Sequence, residues 1–226
     1  SITTPSSATT AVTGLLAGSS ATLRWTISNG VCSLSDDVVI TNDALPTTAL
    51  AGTDIEQCNV ANFTLAGNTP TVGTGTWTIE GAANGASITL GEENNFNATV
   101  TGLTVNNSVT LRWTIANGVV CGTSTDDVVL TNYGPALPTG LIAGADITQC
   151  NDGNFTMAAT AATAPGTGLW SVVSGAVSIT TPGDASTTVT GLAAGSSATL
   201  RWTISNGICA VVQDEVVITN DALPTT

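Results

Sequence analysis

Five cysteines are the residues of this 226-residue chain whose type and spacing point most directly to chemistry. Two of them lie in similar segments, Ile-Glu-Gln-Cys58-Asn and Ile-Thr-Gln-Cys150-Asn. The other three, Cys32, Cys121 and Cys209, each follow an Asn-Gly pair. Cysteines that recur in equivalent segments predict disulfide bonds, and disulfide bonds predict an oxidising compartment outside the cell.

We expect each complete repeat to join its early cysteine to its late one, which gives the bridges Cys58–Cys121 and Cys150–Cys209. Each bridge would close a loop of about 60 residues and contribute on the order of 4 kcal/mol in the chain-entropy model. Cys32 then has its partner outside this sequence. A metal site is the alternative use of these thiols, but the sequence lacks CxxC spacing and histidine, so we expect no metal centre here.

A repeated nine-residue stretch must position these cysteines. Thr-Leu-Arg-Trp-Thr-Ile-Ser-Asn-Gly fills residues 22–30, returns with one change at 110–118 and returns unchanged at 199–207. Its alternation of apolar and polar residues predicts a half-buried strand, and Asn-Gly predicts a turn after that strand. We expect the apolar side chains, with two tryptophans that follow Gly-Thr-Gly segments, to form the core: Leu23, Trp25, Ile27, Trp77, Leu111, Trp113, Ile115, Trp170, Leu200, Trp202 and Ile204.

This recurrence predicts a repeat architecture with three parts. Residues 1–43 are the C-terminal part of a truncated repeat, and residues 44–135 and 136–226 are complete repeats. Ala-Leu-Pro-Thr opens both complete repeats and recurs near the end of the chain, and its proline predicts a short, semi-rigid connector. Short runs punctuated by Gly, Asn and Pro, seven of them in the repeat at 44–135 and a matching series in the repeat at 136–226, predict an all-β fold of tandem seven-stranded antiparallel β-sandwiches.

The three arginines are the only basic side chains, and each one directly precedes a tryptophan of the repeated strand. Acidic pairs begin the next strand, so a hairpin would set each arginine against a carboxylate across the two strands. The expected ion pairs, which would fix the strand register, are Arg24 with Asp37, Arg112 with Asp127, and Arg201 with Glu215.

Structural calcium is the alternative, because carboxylate and carbonyl oxygens are its ligands. The best candidates lie near the repeat junctions: Asn42, Asp43, Asp54 and Asp146. The sequence has no EF-hand spacing. We therefore expect no cofactor, with structural calcium as the alternative.

Composition excludes several functions. A net charge of −13 with no lysine lacks the basic footprint that nucleic-acid binding requires, and it equally disfavours docking on anionic lipid. No apolar run is long enough to span a bilayer, so we expect no direct membrane insertion. Serine-type and thiol-type catalysis need a general base, and a chain without histidine does not supply one. The acidic residues recur in every repeat, whereas an active site is built once per domain. We therefore expect that the protein is not an enzyme.

The motif string carries a family resemblance. Ala-Gly-x-Asp-Ile-x-Gln-Cys, Gly-Thr-Gly-x-Trp, Thr-Val-Thr-Gly-Leu, the repeated strand and Asp-Asp-Val-Val-Ile-Thr-Asn together resemble the tandem immunoglobulin/PKD-like repeats of giant surface adhesins of gliding bacteria, the SprB-type mobile gliding adhesins. The resemblance covers essentially the whole chain.

This resemblance implies tandem immunoglobulin-like (PKD-like) domains that are exported by type IX secretion and displayed as a filament at the cell surface. The implied function is a structural stalk for gliding motility and attachment. Its expected partners are neighbouring repeats of the same chain and an external surface or glycan. The alternative is a set of immunoglobulin-like modules that bind a ligand in a glycan- or calcium-dependent way.

Overall fold

The computed structural model describes residues 1–135 and 142–225, so the predicted connector at residues 136–140 lies outside the described residues. The described residues form strands joined by turns and loops. The strands are β1 (Ser19–Asn29), β2 (Cys32–Asn42), β3 (Ile55–Cys58), β4 (Phe63–Thr64), β5 (Thr74–Glu80), β6 (Ser87–Ile88), β7 (Thr99–Thr101), β8 (Asn107–Ala116), β9 (Thr123–Tyr133), β10 (Ile147–Cys150), β11 (Phe155–Thr156), β12 (Thr167–Ser174), β13 (Ser178–Ile179), β14 (Thr188–Thr190), β15 (Ser196–Ser205) and β16 (Val212–Asp221). These residues contain no helix that is long and apolar enough to cross a membrane.

Two sets of seven strands each build one sandwich. The first has a four-stranded sheet in the order β3-β9-β8-β5 and a three-stranded sheet in the order β4-β7-β6. The second repeats this plan with β10-β16-β15-β12 and β11-β14-β13. The predicted all-β fold of tandem sandwiches is therefore confirmed. One pairing departs from the antiparallel expectation, because β10 runs parallel to β16.

The chain forms two compact units. The first comprises Ser1–Ile55, Asn62–Leu103 and Val109–Leu130. The second comprises Glu56–Ala61, Thr104–Ser108 and Thr131–Thr226. Each unit contains its own buried cluster of apolar side chains.

Each cluster contains a pair of neighbouring tryptophans. The ring centroids of Trp77 and Trp113 are 4.9 Å apart, and those of Trp170 and Trp202 are 5.1 Å apart. All four side chains are buried, as are the leucine and isoleucine that flank Trp113 and Trp202 on their strands. Tilted aromatic pairs at this separation pack favourably in a core.

The glycine in each Gly-x-Trp segment has a packing reason that the sequence alone does not reveal. A Cβ atom at Gly168 would lie 2.1 Å from Cζ2 of Trp202, and a Cβ at Gly75 would lie 2.1 Å from Cζ2 of Trp113. The indole of the neighbouring strand therefore lies directly across the glycine backbone. Only a residue without a side chain leaves room for it.

The core prediction for residues 1–43 is wrong. Trp25 is 39% exposed and Ile27 is 63% exposed, while Leu23 is only partly buried. Residues 1–43, all of which the structure describes, contribute the β1–β2 hairpin and one isolated bridge between Ile2 and Val12. An apolar strand face becomes a core only when a second sheet covers it, and this hairpin lacks that second sheet.

Candidate functional site

The structure contains a disulfide bond between Cys58 and Cys209, with a Cα–Cα distance of 5.2 Å and a sequence separation of 151 residues. Cys32, Cys121 and Cys150 are free thiols. The predicted bridges Cys58–Cys121 and Cys150–Cys209 are therefore wrong. Both bonded cysteines belong to the second compact unit, but they come from different predicted repeats.

Strand direction explains the correction. Because β10 runs parallel to β16, Cys150 lies opposite Asp221 at the C-terminal end of β16. Cys209 precedes the first residue of β16, Val212, so it lies beyond the opposite end of the same strand. Ten residues of strand span roughly 30 Å at about 3.3 Å per residue, whereas a disulfide needs Cα atoms within about 7 Å. A bridge within the repeat is geometrically impossible.

The preceding repeat shows the same arrangement. The backbone N–H of Asn59, next to Cys58, donates to the carbonyl of Tyr133 at the C-terminal end of β9, with an N···O distance of 2.7 Å. Cys121 precedes β9, which starts at Thr123. The early cysteine therefore lies at the end of the sandwich where the chain leaves the repeat. A cysteine of the next repeat can reach it there.

The hairpin that carries Cys209 is held by its asparagine. The side-chain amide of Asn206 is buried and donates to Asn106 Oδ1 and to the carbonyl of Gly134, both at 2.8 Å. Asn106 Oδ1 also accepts the backbone N–H of Gly134 at 2.7 Å. These three residues belong to the second unit, as do the two bonded cysteines. The polar groups of Asn106, Gly134 and Asn206 therefore satisfy one another, which fixes the position of the hairpin.

Gly207 and Tyr133 complete this cluster, which we call the Cys58–Cys209 junction. Gly207 has φ +52°, and a Cβ there would lie 2.5 Å from ring atoms of Tyr133. The Asn-Gly pair, predicted only as a turn, therefore also provides the flat backbone on which the Tyr133 ring lies. Glycine is needed both for the positive φ and for the close approach.

Tyr133 also forms the titratable contact of the junction. Its hydroxyl donates to Glu56 Oε1 at 3.1 Å. The hydrogen bond to this carboxylate raises the pKa of Tyr133 above its ordinary value, and the negative charge of Glu56 acts in the same direction. A phenolate beside a carboxylate is disfavoured, so this contact is stable at neutral pH.

The structure sets each arginine against its expected carboxylate. Nε of Arg24 lies 2.8 Å from Asp37 Oδ1, Nε of Arg112 lies 2.7 Å from Asp127 Oδ1, and Arg201 pairs with Glu215. Arg112 also approaches Glu80 Oε2 at 3.5 Å. The hydrogen bonds from the guanidinium groups lower the pKa of Asp37 and Asp127. Because these pairs are partly exposed, their main effect is on register.

The other member of each acidic pair has a separate role. Asp126 Oδ2 accepts the backbone N–H of Ala51 at 2.7 Å, and Asp214 Oδ2 accepts that of Ala143 at 3.0 Å. Both acids therefore anchor the segment that leads into the first strand of their sandwich. Sequence reasoning missed this role. The signal available was that adjacent strand residues face opposite sides, so one carboxylate of each pair faces away from the arginine.

Three of the four calcium candidates form hydrogen bonds with backbone groups in the structure. Asp54 Oδ1 accepts the N–H of Val129 at 2.9 Å, and Asp146 Oδ1 accepts that of Val217 at 2.8 Å. The side-chain amide of Asn42 donates to the carbonyl of Leu15 at 2.8 Å. The fourth candidate, Asp43, lies near Gly118. A Cβ atom added to Gly118 would be 3.9 Å from Asp43 Oδ2. In residues 1–135 and 142–225, no three acids or cysteines cluster as a metal site would require.

Comparisons with known proteins bear on the fold. No family model matches the chain, and no curated protein matches it. Among solved structures, immunoglobulin domains 1–5 of Sidekick-1 match with 12% identity and a TM-score of 0.55, over 77% of this chain and 38% of that one. The I67–I69 fragment of the titin I-band matches with 14% identity and a TM-score of 0.47, over 79% of this chain and 66% of that fragment. The chain thus spans less than two thirds of either structure.

The strand order and the Sidekick-1 match define the class of the protein. It consists of tandem immunoglobulin-like β-sandwich domains. Each sandwich has a sheet of four strands facing a sheet of three, and a disulfide bond links residues of two successive predicted repeats.

Proposed function

We propose that this chain is part of the stalk or filament of a large secreted cell-surface adhesin that serves gliding motility and surface attachment. The observation that carries the proposal is the Cys58–Cys209 bond. It links the predicted repeat 44–135 to the predicted repeat 136–226 by a second covalent connection besides the peptide chain. A stalk that bears load benefits from such a connection, whereas a single binding module has no need of it.

The bond changes how a pulling force passes through the chain. A load applied at the two ends runs through the sulfur atoms and bypasses the residues between Cys58 and Cys209. Most strands of the second sandwich lie within this bypassed segment. In the chain-entropy model, closing a loop of 151 residues contributes about 5 kcal/mol to stability. The bond therefore stabilises the folded repeats and also shields them from load.

Several further features support display outside the cell. A disulfide bond persists in an oxidising compartment. A net charge of −13 on a chain without lysine discourages lateral aggregation of filaments. The family resemblance of the repeat motifs adds export by type IX secretion, and it implies neighbouring repeats and an external surface or glycan as partners. We keep the predicted repeat limits, 1–43, 44–135 and 136–226, as part of the proposal.

The experiment uses antibodies raised against the 226-residue chain. We expect them to label filaments on intact producing cells, and we expect deletion of the gene to reduce surface attachment and gliding. Labelling confined to the cell interior, or unchanged attachment and gliding after deletion, would refute the proposal.

A glycan array with the purified chain, run with and without a calcium chelator, provides a second readout. Saturable binding that the chelator abolishes would favour the ligand-binding alternative over a purely structural stalk.

A further inference from the structure

The three free cysteines occupy the same places in their repeats as the two that are bonded. Cys150 corresponds to Cys58 in the segment Gln-Cys-Asn, and Cys32 and Cys121 correspond to Cys209 after Asn-Gly. Cys32 and Cys150 are exposed, and Cys121 is partly buried. The Cys58–Cys209 bond is one example of an early cysteine joined to the late cysteine of the next repeat. Each free thiol is either an early or a late cysteine of the same kind.

The backbone around Cys150 matches that around Cys58. Asn151 donates its N–H to the carbonyl of Asp221 at 2.8 Å, as Asn59 does to the carbonyl of Tyr133 at 2.7 Å. Asn59 and Asn151 have nearly the same positive φ, 54° and 53°. Cys150 is therefore held in the conformation that lets Cys58 form its bond.

The hairpin that carries Cys121 docks as the Cys209 hairpin does. The side-chain amide of Asn117 donates to the carbonyl of Ala44 at 2.7 Å, within the first compact unit. Within the second unit, Asn206 donates in the same way to the carbonyl of Gly134 at 2.8 Å. Ala44 and Gly134 each lie two residues after the asparagine near the end of the preceding strand. The polar contact that positions the bonded hairpin is therefore made at the other junction as well.

We propose that each junction between successive repeats is closed by a disulfide bond from the early cysteine of one repeat to the late cysteine of the next. Cys150 is the site for the late cysteine of a repeat that follows residue 226. Cys121 and Cys32 are the sites for early cysteines of preceding repeats. The partner in every case is another repeat of this type, and the inference does not depend on the adhesin function.

The bond forms by oxidation of two thiols. Two S–H bonds break and one S–S bond forms, and two electrons and two protons pass to an oxidised disulfide of a thiol–disulfide exchange catalyst or of glutathione, which becomes two thiols. Cys150 lies between Cys58 and Cys209 in sequence, so successive bridges would close overlapping loops. If one repeat of such an array unfolded, the disulfide bonds at its two junctions would still connect it to the neighbouring repeats.

The test extends the chain by a second copy of residues 49–135, placed directly after Thr226. This fusion keeps the natural sequence, because residues 222–226 repeat residues 44–48. The protein is folded in a buffer of oxidised and reduced glutathione, alkylated without reduction, digested and analysed by mass spectrometry. We expect a new bridge between Cys150 and the copied Cys121, together with the Cys58–Cys209 bridge. Three thiols should then remain free, namely Cys32, the original Cys121 and the copied Cys58.

Two controls make the result decisive. In the 226-residue chain Cys150 should be alkylated, and in the extended chain with Cys150→Ser the copied Cys121 should be alkylated. The Cys58–Cys209 bridge serves as the internal measure of correct folding. The proposal is overturned if Cys150 stays alkylated in the extended chain while Cys58–Cys209 is closed, or if Cys150 is bonded to Cys209. It is also overturned if neither bridge closes, since the bond on which it rests would then be absent.

Discussion

The path that force takes through the chain is the most direct consequence of the Cys58–Cys209 bond. We predict that removing this bond with the double variant Cys58→Ser/Cys209→Ser lengthens the fully unfolded chain when it is pulled from terminal peptide tags. The bond excludes 151 residues from extension. At about 3.3–3.6 Å per extended residue, the gain in contour length is about 500–540 Å. Single-molecule force spectroscopy resolves a change of this size.

The matched control is the double variant Cys121→Ser/Cys150→Ser, which removes two cysteines that are free in the structure. We expect its contour length to equal that of the unmodified chain under non-reducing conditions. Bridges within the repeats would lengthen both double variants equally, because each variant would then release two loops of about 60 residues each, or roughly 400–430 Å in total. A longer control, or an unchanged Cys58→Ser/Cys209→Ser variant, would refute the bond assignment.

Three further predictions concern packing and titration. Gly168→Ala should lower the free energy of unfolding by about 1–3 kcal/mol, because the new Cβ would overpack the facing indole of Trp202. The control Gly183→Ala should be near neutral, because its Cβ would meet its nearest atom only at 3.9 Å. Urea unfolding followed by tryptophan fluorescence measures both variants, and equal losses would contradict the packing argument. Phenolate absorbance should show that the single tyrosine, Tyr133, titrates above about pH 10, and Glu56→Gln should move its pKa back toward the ordinary value. Because the pKa of Tyr133 is raised in the folded protein, its contribution to stability is present below the unfolded pKa. This contribution is lost as the pH rises through the folded pKa. Because the pKa of Asp127 is lowered in the folded protein, its carboxylate stabilises the fold above the unfolded pKa of about 3.9, and this contribution is lost as the pH falls through the lower folded pKa. Asp127→Asn should therefore flatten the decline of the thermal unfolding midpoint below about pH 4. An unchanged slope would argue against the ion pair with Arg112.

Local patterns in the sequence predicted much of the fold. The alternation in the repeated strand indicated which side chains face inwards, and the structure buries Leu111, Trp113 and Ile115. The acids at the start of the following strand indicated the cross-strand partners of the arginines. Both inferences depend on residues within one hairpin, where the period of two relates sequence directly to geometry.

The exposed Trp25 marks the limit of that reasoning. Its strand has the same sequence as the strand around Trp202, which is 1% exposed against 39% for Trp25. Amphipathic alternation states which face of a strand can be buried. Whether that face is buried depends on a second sheet built from distant residues.

The cysteines separate the two kinds of information most clearly. The sequence by itself determined that the cysteines recur in equivalent segments and that sandwiches of seven strands repeat along the chain. Only the tertiary structure decided which thiols meet. The first strand of each repeat lies beside the last one, and the parallel direction seen for β10 and β16 puts the early cysteine at the opposite end of the sandwich from the late cysteine of the same repeat. The late cysteine of the next repeat is the one that reaches it, because the length of a strand separates the other two.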